Sequence, residues 1–394
     1  MSDSAFVERY LLLGLRLGGL IPGLVDAYYG PPELSARVEG ESAPNAAALV
    51  AEAQALLAGL DGAIQDEQRA RWLRAQLVGL ETVARRLAGE AVSYLDEVER
   101  CYGIRPAFVP EEEFAGAHEA LDVALPGKGP VHQRYLAWEQ DQTVERDALL
   151  PAFEALSTDL RERSRDLVSL PDGEAVELEL VQDEPWLAFN YYQGGLKSRA
   201  AFNTDLPWSA FDLFTVVAHE LYPGHHTEAA VKEQHLVREQ GRLEAAVLLI
   251  GTPQSLIAEA IAMLAPEIVS GDRIDELSGR LLAPLGIPYD PETAAVVRTQ
   301  AATLACVATN AALLLHEKGH PLDEVRAYAR RWSVRSDETI DKGIWFITDE
   351  TWRAYVFCYT AGLEYARRFV DGDPGRFRRL LTEQIVPADL NPTA

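Results

Sequence analysis

The sequence predicts a mainly α protein, a large two-lobed helical fold with one small antiparallel β-sheet just ahead of the helix that carries His219 and Glu220. Three observations predict it. Apolar residues recur at three- and four-residue intervals over most of the chain, the spacing that puts them on one face of a helix. Pro and Gly cluster at a few places, Pro106, Pro110, residues 125–130, residues 170–173, Pro207 and Pro253, and divide the helical tracts. Only residues 174–206 break the pattern, with A-V-E-L-E-L-V alternating apolar and polar before W-L-A-F-N-Y-Y and S-R-A-A-F-N-T-D. Alternation with period two is the signature of strands, and two or three are expected there.

In chain order, residues 1–20 form an amphipathic helix rather than a signal peptide, because Glu8, Arg9 and Arg16 interrupt the apolar run and no basic segment precedes it. Helices follow from Asn45 to Leu60 and from Asp66 to Leu87, then over 133–168, 210–222, 228–250, 294–318, 322–332 and 349–370. Thr252 and Pro253 open a further helix, an N-cap residue followed by Pro at the first helical position. Residues 1–170 read as an N-terminal helical lobe and 171–394 as a second lobe with the sheet and the chemically rich helices. No linker separates them, so the two share one cleft.

The 394 residues are 48% hydrophobic, enough for a sizeable core. Acidic residues number 61 against 36 basic, a net charge of −25 that repels phosphate backbones and anionic membrane surfaces. Nucleic acid and membrane are therefore not expected partners, and no run of about 18 uncharged apolar residues suggests a span. Cys101, Cys306 and Cys358 are odd in number and widely spaced, as in reduced cytoplasmic proteins. The sequence says nothing of oligomeric state.

Chemistry concentrates in V-V-A-H-E-L-Y-P-G-H-H-T-E, residues 216–228. Zinc takes imidazole and carboxylate ligands, three from the protein at a catalytic site with a fourth position open. His219 and Glu220 end an apolar helix, where a charge without a partner would be costly and a ligand role relieves that cost. The common zinc helix places its second His four residues on, but position 223 is Pro. On an unbroken helix His225 lies about 600° round from His219, and His226 is nearly in line but about 10 Å further along. Pro223 removes a helical hydrogen bond and Gly224 tolerates unusual dihedrals, so a kink is expected to swing one of the two back towards His219. A third ligand must come from another helix. Glu259 has Ser255, Leu256, Ala262 and Met263 as helical neighbours and needs a cation or a hydrogen-bond donor.

H-E-L-Y-P-G-H-H, followed some 30 residues later by A-E-A-I-A-M-L-A-P-E, resembles the HExxPGHH family called domain of unknown function 885. That family is similar to the gluzincin zinc peptidases, mostly helical enzymes that use two helix residues and a downstream Glu as ligands. The resemblance covers nearly the whole chain and implies a peptidase-like fold, one Zn2+ per chain held by His219, His225 and Glu259, and Glu220 as catalytic base. Ala260 and Ile261 stand where the family has Gly-Trp in its E-G-W-A-x-Y-x-E motif. Its closing Y-x-x-G pattern appears as Tyr359 to Gly362.

A second stretch, His316-Glu317-Lys318-Gly319-His320, satisfies the HExxH pattern letter for letter. Gly319 and Pro321 end the helix there, so His320 lies past the turn it would need, and this stretch is read as a helix C-terminus. Around the first site, Tyr359 is a candidate donor to the oxyanion, Arg199 and Arg353 candidate holders of a substrate carboxylate, Tyr192 a candidate cleft residue, and His226 a supporting or substrate-facing group. His118 and His132 are read as ordinary surface residues. These features describe a zinc-dependent hydrolase acting on a peptide or small amide, with a zinc hydrolase of non-peptide amides or esters, or a non-catalytic binding module, as alternatives.

Overall fold

A computed structural model describes residues 1–42 and 44–390. Of the second lobe read from the sequence, residues 391–394 lie outside the described residues. The fold is mainly α, with helices from Asp3–Gly18 to Pro374–Thr382 and, among the described residues, five short strands, β1 Val25–Tyr28, β2 Ala175–Val181, β3 Ala188–Gly194, β4 Lys197–Asn203 and β5 Val247–Leu249. Side-chain caps start many helices where the sequence supplies them: the Ser2 oxygen accepts from the Ala5 amide, Asp66 from Arg69 and Ser209 from Phe211. Thr252 stands at the N-cap before Pro253, but its hydroxyl donates to the Leu249 carbonyl at 2.8 Å. Gln76 Oε1 accepts from the Gln254 amide at 3.1 Å instead, a cap supplied from another helix.

Several predicted helices are interrupted by tertiary contacts. The tract 133–168 is two helices, Val131–Asp141 and Arg146–Leu167, because the Val144 amide bonds the Trp208 carbonyl and Thr143 bridges to Ser209. The tract 228–250 is continuously helical only to Glu239, ending as a π-helix before Gly241 at φ 67°, and a short 3-10 turn over Leu243–Ala246 then leads into β5. The tract 349–370 starts with a turn in which Asp349 Oδ1 accepts from the Thr351 and Trp352 amides. Its helical part begins at Tyr355.

The three-stranded sheet has order β2-β4-β3, and β2 runs parallel to β4 while β3 and β4 pair antiparallel. The expected antiparallel sheet is therefore mixed. Period-two alternation assigns faces to residues but carries no information on which strand lies between the others. A second, two-stranded sheet pairs β1 with β5 antiparallel. Its strands are too short and too far apart in sequence for the pattern to have shown them.

One apolar cluster runs from Phe6 to Leu390 and draws on both halves of the chain. A second lies behind the His219 helix, where Phe153, Phe202, Phe214, Val217 and Leu277 are buried and Phe153 stacks on Phe202 at 4.0 Å. Each such side chain contributes about 1.5–3 kcal/mol through burial. The helix bearing His219 is thus clamped along its apolar face while its C-terminal end is left for chemistry. Helix Ala46–Ala63 is long and apolar enough to cross a membrane by length and composition. Here it buries Leu49, Leu56 and Leu60 in the main cluster, and its Glu52 pairs with Arg16 at 3.0 Å.

Candidate metal centre and cleft

The helix Ala210–Glu220 ends at the residue after His219, and a new helix, His225–Lys232, begins at His225. The expected kink is thus a complete break. Leu221 leaves helical geometry, the Tyr222–Pro223 bond is cis, and the Gly224 amide turns back to donate to the Ala218 carbonyl at 3.0 Å. Gly224 is required by close approach: a Cβ there would stand 1.8 Å from the His219 carbonyl oxygen. The tight return brings the His225 ring to 4.7 Å from the His219 ring, centroid to centroid.

Glu259, on the buried face of helix Pro253–Ser270, completes the group. Its Oε2 lies 3.6 Å from His219 Nε2 and its Oε1 3.6 Å from His225 Nε2. One ligand atom from each of the three residues falls within 4.8 Å of the others. Tyr355 donates its hydroxyl to Glu259 Oε1 at 2.7 Å, while Oε2 is buried with no hydrogen-bond partner among the described residues. A buried carboxylate oxygen left unpaired is costly unless a cation shares it. Two imidazoles and a carboxylate are a zinc donor set, so these residues fit such an ion.

The electrostatics of the group favour a positive charge in its midst. Burial works against protonating His225, but the Glu259 carboxylate outweighs it and holds the imidazole up at about 10. Burial and the His225 charge push His219 down to about 4. Glu259 is itself buried, which opposes ionisation, yet His225 keeps its carboxyl below the usual range. Glu220, also buried, is pushed up to about 7 by desolvation, where a carboxyl can both take and give a proton near neutral pH. Asn190 on β3 donates to the Glu220 backbone carbonyl at 2.8 Å and fixes the helix end against the sheet.

These residues open onto a cavity of about 350 Å³. Trp186, Phe189 and Tyr192 line it from the sheet region, and Trp345, Phe346, Trp352 and Tyr359 from the C-terminal helices and the turn between them. Tyr359 is half-buried, and burial raises its phenol well above the usual value, so it stays a proton donor. Tyr192 contributes its ring to the wall, but its hydroxyl donates to Glu233 Oε2 at 2.6 Å. Asp26, from β1, also lines the cavity, and burial raises its carboxyl to about 6.

Three of the residues singled out in the sequence lie elsewhere. His226 is fully buried and takes no part in the cavity lining. Its Nε2 donates to Glu174 Oε2 at 2.9 Å, because a carboxylate only accepts, which leaves Nδ1 to accept from the Ser198 hydroxyl at 2.8 Å. Both ring nitrogens are used, so of the two adjacent histidines His225 is the one open to a metal. Arg199 pairs with Glu179 across the sheet and lies over the Tyr191 ring at 4.3 Å. Arg353 pairs with Glu97, which also binds Arg86 at 2.6 Å. Both guanidinium groups are committed to partners outside the cavity lining and cannot hold a substrate carboxylate there. The second HExxH stretch is dispersed: His316 Nε2 bonds the Ile347 carbonyl at 2.6 Å, and His320 pairs with Glu324 at 3.0 Å. His118 and His132 are half-buried rather than exposed, and His118 Nε2 bonds the Trp332 carbonyl at 2.9 Å.

Sequence reasoning missed Tyr355, Asp26 and Glu174. Tyr355 and Asp26 sit in segments whose apolar spacing gave no sign of a cavity, and Glu174 looked like the polar start of a strand. The pairing of Glu174 with His226 could have been suspected, since a buried His next to a ligand His needs an acceptor.

No family model matches the chain, and no curated protein does. Among solved structures, the fold is similar to a candidate lipoprotein from Colwellia psychrerythraea, at 16% identity and a TM-score of 0.53, over 91% of this chain and 68% of that one. It is also similar to a candidate lipoprotein of unknown function from Shewanella oneidensis, at 11% identity and a TM-score of 0.50, over 91% of this chain and 75% of that one. At such identities the likeness is one of fold.

Proposed function

We propose that the chain is a zinc-dependent hydrolase of short peptides or related amides. The observation that carries the reading is the convergence of His219, His225 and Glu259 from three segments, with Glu259 Oε2 buried and unpaired, at the floor of a cavity that also holds Glu220. A purely structural site has no use for a carboxyl such as Glu220, poised near neutral pH beside it. Zinc, when bound, supplies a Lewis acid that makes water a nucleophile near neutral pH. His219, His225 and Glu259 would hold it, with Tyr355 fixing the Glu259 carboxylate.

Glu220 accepts the proton of the attacking water and returns it to the departing nitrogen, so the carboxylate is regenerated in each turnover. Tyr359 donates a hydrogen bond to the amide oxygen as negative charge develops on it. The aromatic walls exclude bulk water and position an apolar side chain. The test is Glu220→Gln, which should retain about one equivalent of zinc and lose hydrolysis of a dipeptide panel. Protein that takes up no zinc even when the metal is added back favours a non-catalytic binding module instead. Activity on esters or acyl amides without activity on peptides moves the substrate class.

We also propose a reducing, cytoplasmic setting, supported by three free cysteines, of which Cys101 and Cys358 are buried. Fractionation tests this, since the two fold neighbours are described as lipoproteins.

A further inference from the structure

We propose that Asp26 is an anchor for a primary ammonium group, so that the cavity takes substrates with a free amine close to the amide to be cleaved. The inference rests on the hydrolase reading for the word substrate, but its binding chemistry stands on Asp26 itself.

β1 is irregular at this residue. Val25 pairs with Leu249 and Ala27 with Leu248, so β1 spends two residues where β5 spends one, and Asp26 is the extra residue of a β-bulge. On a regular strand neighbouring side chains point to opposite faces. Here both Asp26 and Ala27 line the cavity, a re-aiming that bulges produce and that regular pairing forbids.

The carboxylate delivered this way has no partner among the described residues. Among the described residues no hydrogen bond or ion pair reaches it, and what acts on it is burial together with the charges of His225, Glu259 and Glu228. Every other carboxylate of the cavity is accounted for. Glu259 is bonded by Tyr355 and faces the two histidines, and Glu228 binds Lys232 and, at 3.2 Å, Gln254 Nε2. Glu220 is the proposed base. Lys232, the cavity's one lysine, is thereby neutralised by Glu228. Apart from the His219, His225 and Glu259 group that would hold zinc, the lining thus presents an anionic group and, among the described residues, no unpaired side-chain cation, so the Asp26 end of the cavity favours a cationic group over an anionic one.

Size and walls narrow the class. A cavity of about 350 Å³ is at the small end for ligand sites and suits an aminoacyl or dipeptide unit rather than a long chain. Tyr29, Phe189, Trp345 and Trp352 provide apolar surface for that unit's side chain. The occupant that matches is an amino acid residue with its α-ammonium on Asp26, its side chain among the aromatics and its carbonyl towards His219 and His225.

The test compares L-phenylalaninamide with N-acetyl-L-phenylalaninamide by titration calorimetry on zinc-loaded protein in the Glu220→Gln background, which removes turnover, with Asp26 as in the wild type, Asp26→Asn and Asp26→Glu, and with zinc content measured for each. With Asp26 in place the free amine should bind at least about 30-fold more tightly than the acetylated probe, the lower end of what truncating one partner of a buried charge pair costs. Asp26→Asn should abolish that preference and Asp26→Glu should retain part of it. Equal binding of the two probes with Asp26 in place, or a preference that survives in Asp26→Asn, overturns the proposal. So does a second equivalent of zinc that is lost in Asp26→Asn, since Asp26 would then be a ligand. Binding is read without turnover, so a protein that binds the amine through Asp26 but hydrolyses nothing with Glu220 in place refutes the hydrolase reading and leaves this one standing.

Discussion

Tyr355 donates its hydroxyl to Glu259 Oε1 at 2.7 Å, and the other oxygen of that carboxylate is left facing His219 at 3.6 Å with no donor of its own. The hydrogen bond fixes which oxygen remains free and the plane in which it lies. Partners of this kind typically contribute 10–100-fold to metal affinity. Tyr355→Phe should therefore weaken zinc binding by about that factor in a chelator competition, with a loss of apo stability no larger than the roughly 1–3 kcal/mol of one buried oxygen left unpaired. Undiminished affinity would show that Glu259 is oriented by packing alone.

Gly224 is where the local backbone admits no side chain. The Cβ of Gly224→Ala would fall 1.8 Å from the His219 carbonyl oxygen and 2.5 Å from that of Ala218, both backbone atoms that cannot swing aside. The turn must open, and His225 moves with it. We expect a destabilisation of about 4 kcal/mol or more, the range of severe backbone clashes, together with loss of stoichiometric zinc. A variant that keeps both its melting temperature and its zinc would mean that the return from His219 to His225 is more pliable than its contacts imply.

How far the site was legible follows from the same residues. His219, His225 and Glu259 were reachable because a polar residue on an apolar helix face is anomalous in one dimension, before any fold is known. The mainly α class was legible for a related reason, since helical periodicity is a local property of the chain. Pairing partners are not local. Nothing in residues 175–203 states that β4 lies between β2 and β3, and nothing near Val25 states that it will meet Leu249. Arg199 and Arg353 were misjudged for that reason: their partners, Glu179 and Glu97, are 20 and 256 residues away. Asp26 and Tyr355 lie on segments joined to the site only by tertiary contacts, and the sequence spacing of their neighbours is that of ordinary core.

The adjacent histidines separate metal binding from stability. His225→Ala removes a proposed ligand that is partly open to the cavity and should abolish tight zinc binding, with a stability cost confined to the loss of its pairing with Glu259. His226→Ala removes a buried ring that joins Ser198 to Glu174, leaving two buried groups unpaired at roughly 1–3 kcal/mol each. It should lower the melting temperature by several degrees and retain the metal. Zinc content and thermal denaturation measured side by side decide it, and the reverse pattern would exchange the roles of the two residues.

Glu174 makes the fold sensitive to acid. Burial disfavours its charge, but hydrogen bonds from His226 and Tyr222, with Arg161 behind them at 2.6 Å, prevail and bring its carboxyl down to about 2. A carboxyl whose folded pKa lies below its unfolded value stabilises the fold at every pH above the unfolded value, near 4.5 here, and loses that contribution as pH falls towards the folded one. Glu174→Gln should thus cost about 3 kcal/mol at pH 7, as expected for breaking a buried charge pair. The gap between wild type and variant should begin to close below pH 4.5 and be nearly gone at pH 2. Urea unfolding of both proteins across that range is the measurement. A gap of constant size would assign the stabilisation to the shape of the side chain, because only an effect of its charge can fade as the carboxylate takes up its proton.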